Sequence, residues 1–358
     1  MTIENPTRDV RVLVADDSLF MRHLVKKALE SHPRIQVVGE ARDGCEAVEK
    51  NAELCPSVIV MDVQMPKMDG LSALRRIMGE RPAPVVMFSS LTTRNAVVTL
   101  EALSLGAVDF MPKPENRVNI SPIAEELCRK VVAAASANLR PKTRRARPAG
   151  GKKSLQRAEE AGALVVIGSS TGGPQALDEV IPKLPPDFPG CVLICQHMPP
   201  GFTASMAKRL DALAAVAVKE AQDGDRFLSG SVLVAPGGVH SEVVKNDGGQ
   251  GRPHIRLNAG EPVHGVRPAV DVALLGAAPL FGPKLMVVIL TGMGFDGAKG
   301  AKAAKNLGAT IICQDEATSV VWGMPRACVE IGACDKILPL QRIAGAIQKF
   351  AESVEGAV

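Results

Sequence analysis

The stretch VIVMDVQMPKMDGL, residues 58–71, is an apolar run that closes on a carboxylate, Asp62, followed by a loop bearing Pro and Gly and then a helical pattern over residues 71–78. A short unbroken apolar run reads as a strand buried on both faces, as strands of parallel sheets are. The same unit recurs around it. VRVLVA, IQVVGEA, APVVMFSS and AVDFMP are further strands of this type, with amphipathic helical stretches at residues 19–30, 44–53, 94–103 and 123–135. Five β-α repeats predict an α/β domain with a five-stranded parallel, doubly wound sheet, and ligands of such sheets sit beyond the carboxyl ends of the strands.

Chemically useful residues fall at those ends. Asp16 and Asp17 follow VLVA, Asp62 follows VIVM, Ser89 follows VVMF and Lys113 follows VDFMP. Three converging carboxylates repel one another and are tolerable around a hard divalent cation such as Mg²⁺. With that charge neutralised, Asp62 can attack phosphorus as a nucleophile. Lys113 would supply positive charge, and the Ser89 hydroxyl a hydrogen bond, to the phosphoryl oxygens. Each residue alone reads as a helix cap or a solvated charge; the set, gathered at the ends of the predicted strands, does not.

VLVADDS, VIVMDVQMPKMDGL, MFSSLT and GAVDFMPKPE resemble the receiver domain of two-component response regulators, over about residues 10–135. The resemblance implies a flavodoxin-like fold in which Asp62 takes phosphate from a histidine kinase and Asp17, helped by Asp16, binds Mg²⁺ beside Asp62. It also implies that Ser89 and Lys113 sense the phosphorylated state. The switch position three residues before the Lys is Phe110, which lacks the hydroxyl a tyrosine switch would use.

At 358 residues the chain suits two domains, each with its own core. One Trp and no Tyr leave little for base-stacking platforms, so single-stranded nucleic acid is a poor partner. The net charge of +4 includes eight Lys/Arg and no acid within residues 138–157, so the remainder stands at −4. That Pro- and Gly-bearing run is expected to be a solvated, self-repelling linker. The expected division is a receiver over 1–137, a basic flexible linker over 138–160 and a catalytic domain over 161–358. Eight cysteines without C-x-x-C spacing lie mostly in apolar segments, as small buried hydrophobes do, so neither disulfides nor zinc are expected. The first residues lack a signal-peptide pattern and no apolar run approaches the ~20 residues of a membrane span. A cytoplasmic protein without direct membrane insertion is expected.

A second α/β series follows. ALVVIG, CVLICQH, SVLVAPG, LMVVILTG and ATIICQD read as buried strands of a mainly parallel sheet, with helical segments over 174–182 and 268–281. Residues 242–257 carry two alternating runs around Asn246-Asp247-Gly248-Gly249, the signature of a β-hairpin. VVIGSSTGGPQAL passes from strand through a Ser/Gly turn into a helix, placing Ser169 or Ser170 near main-chain amides. It is neither G-x-G-x-x-G nor G-x-S-x-G, and on chemistry alone a nucleophile and a phosphate loop are both open. His197 lies past a second strand end and Asp296 in a glycine-rich turn past a third, where each alone reads as a core histidine or a helix cap. Together the three could supply nucleophile, base and orienting carboxylate.

IGSSTGGP, QHMPPGF and LTGMGFDGA resemble the catalytic domain of the CheB family of chemotaxis protein-glutamate methylesterases, over about residues 162–350. The resemblance implies that Ser170 is the nucleophile, His197 the general base, Asp296 its orienting partner and the Met293 N–H the oxyanion donor. It implies hydrolysis of glutamate methyl esters, and deamidation of glutamines, on cytoplasmic helices of membrane chemoreceptors, with no cofactor at the esterase site. It further implies that the unphosphorylated receiver covers the catalytic cleft and that phosphate on Asp62 loosens this packing. Two rival readings are a receiver-controlled DNA-binding regulator, which would need a helix-turn-helix output, and a nucleotide-binding module using Ser169 to Gly173 as an anion loop.

Overall fold

The computed structural model describes residues 9–90, 92–114, 121–137, 159–245 and 251–356. Contacts divide the chain into two compact units, Met1–Thr143 and Arg144–Val358. Residues 138–158 of the expected linker, and the expected hairpin turn at 246–249, lie outside the described residues.

In the first unit, β1 (Val10–Ala15), α1 (Leu19–Glu30), β2 (Ile35–Ala41), α2 (Gly44–Leu54), β3 (Val58–Asp62), α3 (Gly70–Glu80), β4 (Val85–Ser89), α4 (Thr93–Leu105), β5 (Asp109–Pro112) and α5 (Ser121–Ala135) alternate strictly. The strands form one parallel sheet ordered β2-β1-β3-β4-β5. β3 and β4 are buried along their whole length, which is why their residues are apolar without alternation. Side chains stop the helices from starting early. Ser18, Asp43 and Asp69 accept the N–H groups of Met21, Glu46 and Ser72, and so cap α1, α2 and α3.

The second unit contains β6 (Leu164–Ser169), α6 (Gly173–Val180), β7 (Cys191–Gln196), α7 (Phe202–Leu213), β8 (Ala217–Glu220), β9 (Ser231–Val234), β10 (His240–Val244), β11 (His254–Asn258), α8 (Val270–Phe281), β12 (Leu285–Ile289), α9 (Ala298–Asn306), β13 (Thr310–Gln314), α10 (Gly323–Glu330), β14 (Lys336–Leu338) and α11 (Leu340–Glu355). Seven parallel strands are ordered β14-β13-β12-β6-β7-β9-β8. β10 and β11 form the expected antiparallel pair, with Val243 opposite Ile255. Sheet residues such as Val166, Leu193 and Val287 pack with Leu274 and Ala277 of α8 and Ala301 of α9 in one core. The order reverses at β6, with β7 on one side and β12 on the other, and this switch point opens a crevice at the carboxyl ends.

Both sheets are as expected from the apolar runs, with two additions and one shortening. β8 and β14, at the edges, are short and carry half-exposed or exposed residues, so they lack the apolar signal of the central strands. The helix expected over 174–182 starts one residue earlier and ends at Val180, where Ile181–Lys183 tighten into a 3₁₀ turn. Among the described residues no helix is long and apolar enough to cross a membrane.

Candidate functional site

Ser170, His197 and Asp296 all lie just beyond the carboxyl ends of three adjacent strands, β6, β7 and β12. Gly168 and Ser169 of β6 stand in register with Cys195 and Gln196 of β7, so the residues that follow are neighbours across the sheet edge. The His197 N–H donates to Ser169 O at 3.1 Å, and the Gln196 carboxamide donates to the carbonyls of both Ser170 (3.0 Å) and His197 (3.1 Å). Ser169 is fully buried with its hydroxyl bonded to Gln196 Oε1 at 2.7 Å, whereas Ser170 is half-buried. The next turn requires Gly173, since a Cβ there would come within 1.9 Å of Gln196 Oε1. Gly172, at φ 77°, caps α6.

His197 Nε2 meets Asp296 Oδ2 at 2.7 Å. Asp296 is buried and also accepts main-chain N–H groups from Val270 (2.7 Å), Asp271 (3.0 Å) and Gly297 (2.9 Å). Burial pushes its carboxyl up, but the His197 hydrogen bond and charge and the N–H donors outweigh burial and hold it below the usual carboxylate range. Among the described residues the Ser170 hydroxyl makes no hydrogen bond to His197; the pair joined directly is imidazole and carboxylate.

Met293 follows Gly292, which runs directly against Ser170. A Cβ on Gly292 would come within 2.9 Å of Ser170 Cβ and 2.3 Å of Met324 Sδ, so this segment runs against the serine only because residue 292 has no side chain. Gly292 is bridged to Trp322, and its carbonyl accepts the N–H groups of Gly323 (3.0 Å) and Met324 (2.8 Å). Met293 is half-buried, and its own N–H finds no acceptor among the described residues. Thr291, buried, was not singled out from sequence. Its N–H donates to Gln314 Oε1 at 2.8 Å, and its hydroxyl lies 2.9 Å from Thr171 O while accepting from Val320 and Val321. The Trp322 indole N–H donates to Gln314 O at 2.9 Å. One hydroxyl therefore ties the serine turn to the segment around residues 320–322.

In the first unit Lys113 Nζ stands 2.6 Å from Asp16 Oδ2 and 2.7 Å from Asp62 Oδ2. Carboxylate oxygens of Asp16, Asp17 and Asp62 lie within 4.8 Å of one another, Asp17 exposed and the other two buried. Burial raises the Asp62 carboxyl above its ordinary value; Lys113 pulls it down and the charge of Asp16 pushes it up. Burial also lowers the Lys113 ammonium, but the charges of Asp62 and Asp16 more than reverse this. A cleft of about 480 Å³ beside the cluster is lined by Asp17, Gln64, Met65 and Asp69 among others. Ser89 is buried, and its main-chain carbonyl accepts the Lys113 N–H at 2.7 Å. Phe110 is buried with the Lys130 ammonium 5.6 Å from its ring centre. Gly70 was also unforeseen. A Cβ there would strike Asp62 O at 2.0 Å, so the Asp-Gly start of α3 lets that helix press against the main chain of Asp62.

The family model described as CheB methylesterase matches residues 165–347, and that of the response regulator receiver domain matches residues 12–125. The chain belongs to the CheB methylesterase family. A relative from Symbiobacterium thermophilum named protein-glutamate methylesterase/protein-glutamine glutaminase is 48% identical over 357 residues, covering 96% of this chain and 97% of its own. A relative of the same name from Thermotoga maritima is 45% identical, with 94% and 97% covered. The crystal structure of the Thermotoga maritima CheB methylesterase catalytic domain matches with a TM-score of 0.51 at 45% identity, covering 53% of this chain and 98% of that one. The expectation of this family from IGSSTGGP, QHMPPGF and LTGMGFDGA is thus borne out, as is the two-sheet fold.

Proposed function

We propose that this chain is a cytoplasmic protein-glutamate methylesterase and protein-glutamine glutaminase, acting on cytoplasmic helices of membrane chemoreceptors and activated by phosphorylation of Asp62. The observation that carries the reading is the His197–Asp296 pair at 2.7 Å, whose two residues follow β7 and β12, the strands that flank β6 and its Ser170 turn. Family membership over the whole chain supports the substrate class.

In this reading Ser170 Oγ attacks the side-chain carbonyl carbon of a methylated glutamate. With Nε2 engaged by Asp296, Nδ1 of His197 takes the serine proton, and the Asp296 carboxylate stabilises the imidazolium. The oxyanion meets the Met293 N–H, a donor worth roughly 3 kcal/mol of barrier. His197 returns its proton to the leaving oxygen, methanol departs, and water attacks the acyl-enzyme to restore Ser170 and free a glutamate. A glutamine follows the same course and releases ammonia. The burial of Ser169 and its bond to Gln196 favour Ser170 as the nucleophile.

In the receiver, a histidine kinase is the phosphodonor and Asp62 Oδ the acceptor. The three-carboxylate oxygen set of Asp16, Asp17 and Asp62 suits Mg²⁺, which when bound neutralises charge on the acceptor and on the phosphoryl oxygens. Lys113 places its ammonium beside the same oxygens, Ser89 is the hydroxyl that senses the phosphoryl group, and Phe110 is the ring that responds by packing alone.

The test is methanol release from methylated receptor by the full chain, with and without acetyl phosphate and Mg²⁺. Wild type should be stimulated, Asp62→Asn should hydrolyse at the unstimulated rate under both conditions, and Ser170→Ala should release no methanol yet still accept phosphate. Methanol release by Ser170→Ala near the wild-type rate would overturn the nucleophile, and full stimulation of Asp62→Asn would overturn the regulation.

A further inference from the structure

Next to the His197–Asp296 pair lies a second imidazole–carboxylate pair, His264–Asp271. His264 Nε2 is 2.9 Å from Asp271 Oδ2, and polar atoms of His264, Asp271 and Asp296 all lie within 4.8 Å of one another. Asp271 joins three elements. Its N–H donates to Asp296 Oδ1, its Oδ1 accepts the Gly300 N–H of α9 at 2.7 Å, and its Oδ2 accepts from His264. His264 adopts φ 56°, a left-handed conformation that a residue with a Cβ takes only where its surroundings require it. The exposed ring of Phe295, the residue before Asp296, packs edge-on against the imidazole at 4.7 Å.

We propose that His264 and Asp271 are positioning residues of the esterase centre, fixing the first turn of α8 so that its N–H groups hold the Asp296 carboxylate toward His197. This rests on Asp296 being the orienting partner of His197. Two buried carboxylates stand side by side. Asp296 is served by His197 and three main-chain N–H groups, whereas among the described residues Asp271 has only His264 and Gly300. Without the His264 donor, Asp271 would have a single hydrogen bond beside a like charge. Relief then requires a shift of the α8 turn, which disturbs the N–H groups that aim Asp296. The main-chain strain at His264 is consistent with a residue kept for what its ring donates.

The test uses the full chain and separates packing from hydrogen bonding. His264→Phe keeps a ring against Phe295 but has no donor, while His264→Gln keeps an amide donor. With methylated receptor as substrate, His264→Phe and His264→Ala should lower kcat by ~10- to 100-fold with KM little changed, as loss of an outer partner of an active-site group does. His264→Gln should recover most of the rate. Thermal midpoints of the variants, measured alongside, should not track kcat. A His264→Phe rate within twofold of wild type, or a His264→Gln as impaired as His264→Phe, overturns the proposal. If Ser170→Ala is inactive in the same assay, that result defeats only the positioning role; if Ser170→Ala is active, the triad falls and this inference with it.

Discussion

His197 and Asp296, 99 residues apart in sequence, stand 2.7 Å apart in space, and the carboxylate is held for the imidazole by three main-chain N–H groups. An acid so well served by donors contributes to stability in its ionised form.

Because the Asp296 carboxyl lies below its unfolded value, near 3.9, the stability it adds is present above that value and is lost as pH falls through the folded value. Asp296→Asn should therefore melt below wild type at pH 7, with the gap closing as pH drops below about 4. Thermal melts from pH 7 to pH 3 measure this, and a gap independent of pH would contradict it.

Adjacent hydroxyls should behave oppositely. Ser170→Ala is expected to lose at least ~10³-fold in kcat, as nucleophile removal does in serine hydrolases. Ser169→Ala, which breaks the buried bond to Gln196, should instead cost about 1 kcal/mol of stability and leave most of the rate. Steady-state kinetics and melts on both variants separate the roles.

Gly292→Ala places a methyl against Ser170 and Met324, so the main chain bearing the Met293 N–H must move. The expected loss is about 10²- to 10³-fold in kcat, that of a missing oxyanion donor, with phosphorylation of Asp62 unaffected. A Gly292→Ala rate close to wild type would remove Met293 from the oxyanion site.

For Asp62 the sign reverses. Its folded value is raised, so its contribution is favourable below the unfolded value and disappears as pH rises through the folded one; at pH 7 the ionised group opposes folding. Asp62→Asn should raise the receiver's melting temperature without Mg²⁺, and millimolar Mg²⁺ should stabilise wild type more than the variant. Calorimetry in the presence of chelator and of Mg²⁺ decides the matter.

What could be read from sequence was whatever a buried parallel strand imposes: apolar runs fix where β1, β3, β6, β7 and β12 end, and chemistry gathers at those ends. Asp16, Asp62, Lys113, His197 and Asp296 were all visible this way. Ser169 and Ser170 could not be told apart on chemistry, because consecutive residues at a strand's end point to opposite sides and either could face the cleft. Contacts made across loops left no periodic signal. Gly70 against Asp62 O, the Thr291 hydroxyl between two turns and the His264–Asp271 pair depend on close approaches that only folding brings about. The edge strands β8 and β14 were missed because solvent on one side removes the need for apolar residues.

With one Trp and no Tyr in the chain, ultraviolet emission above 300 nm comes essentially from a single indole. That indole, Trp322, is hydrogen-bonded to Gln314 in the segment bridged to Gly292, beside the serine turn. The protein thus carries a native, label-free optical probe beside the turn that bears Ser170, through which ligand docking there could be followed in real time.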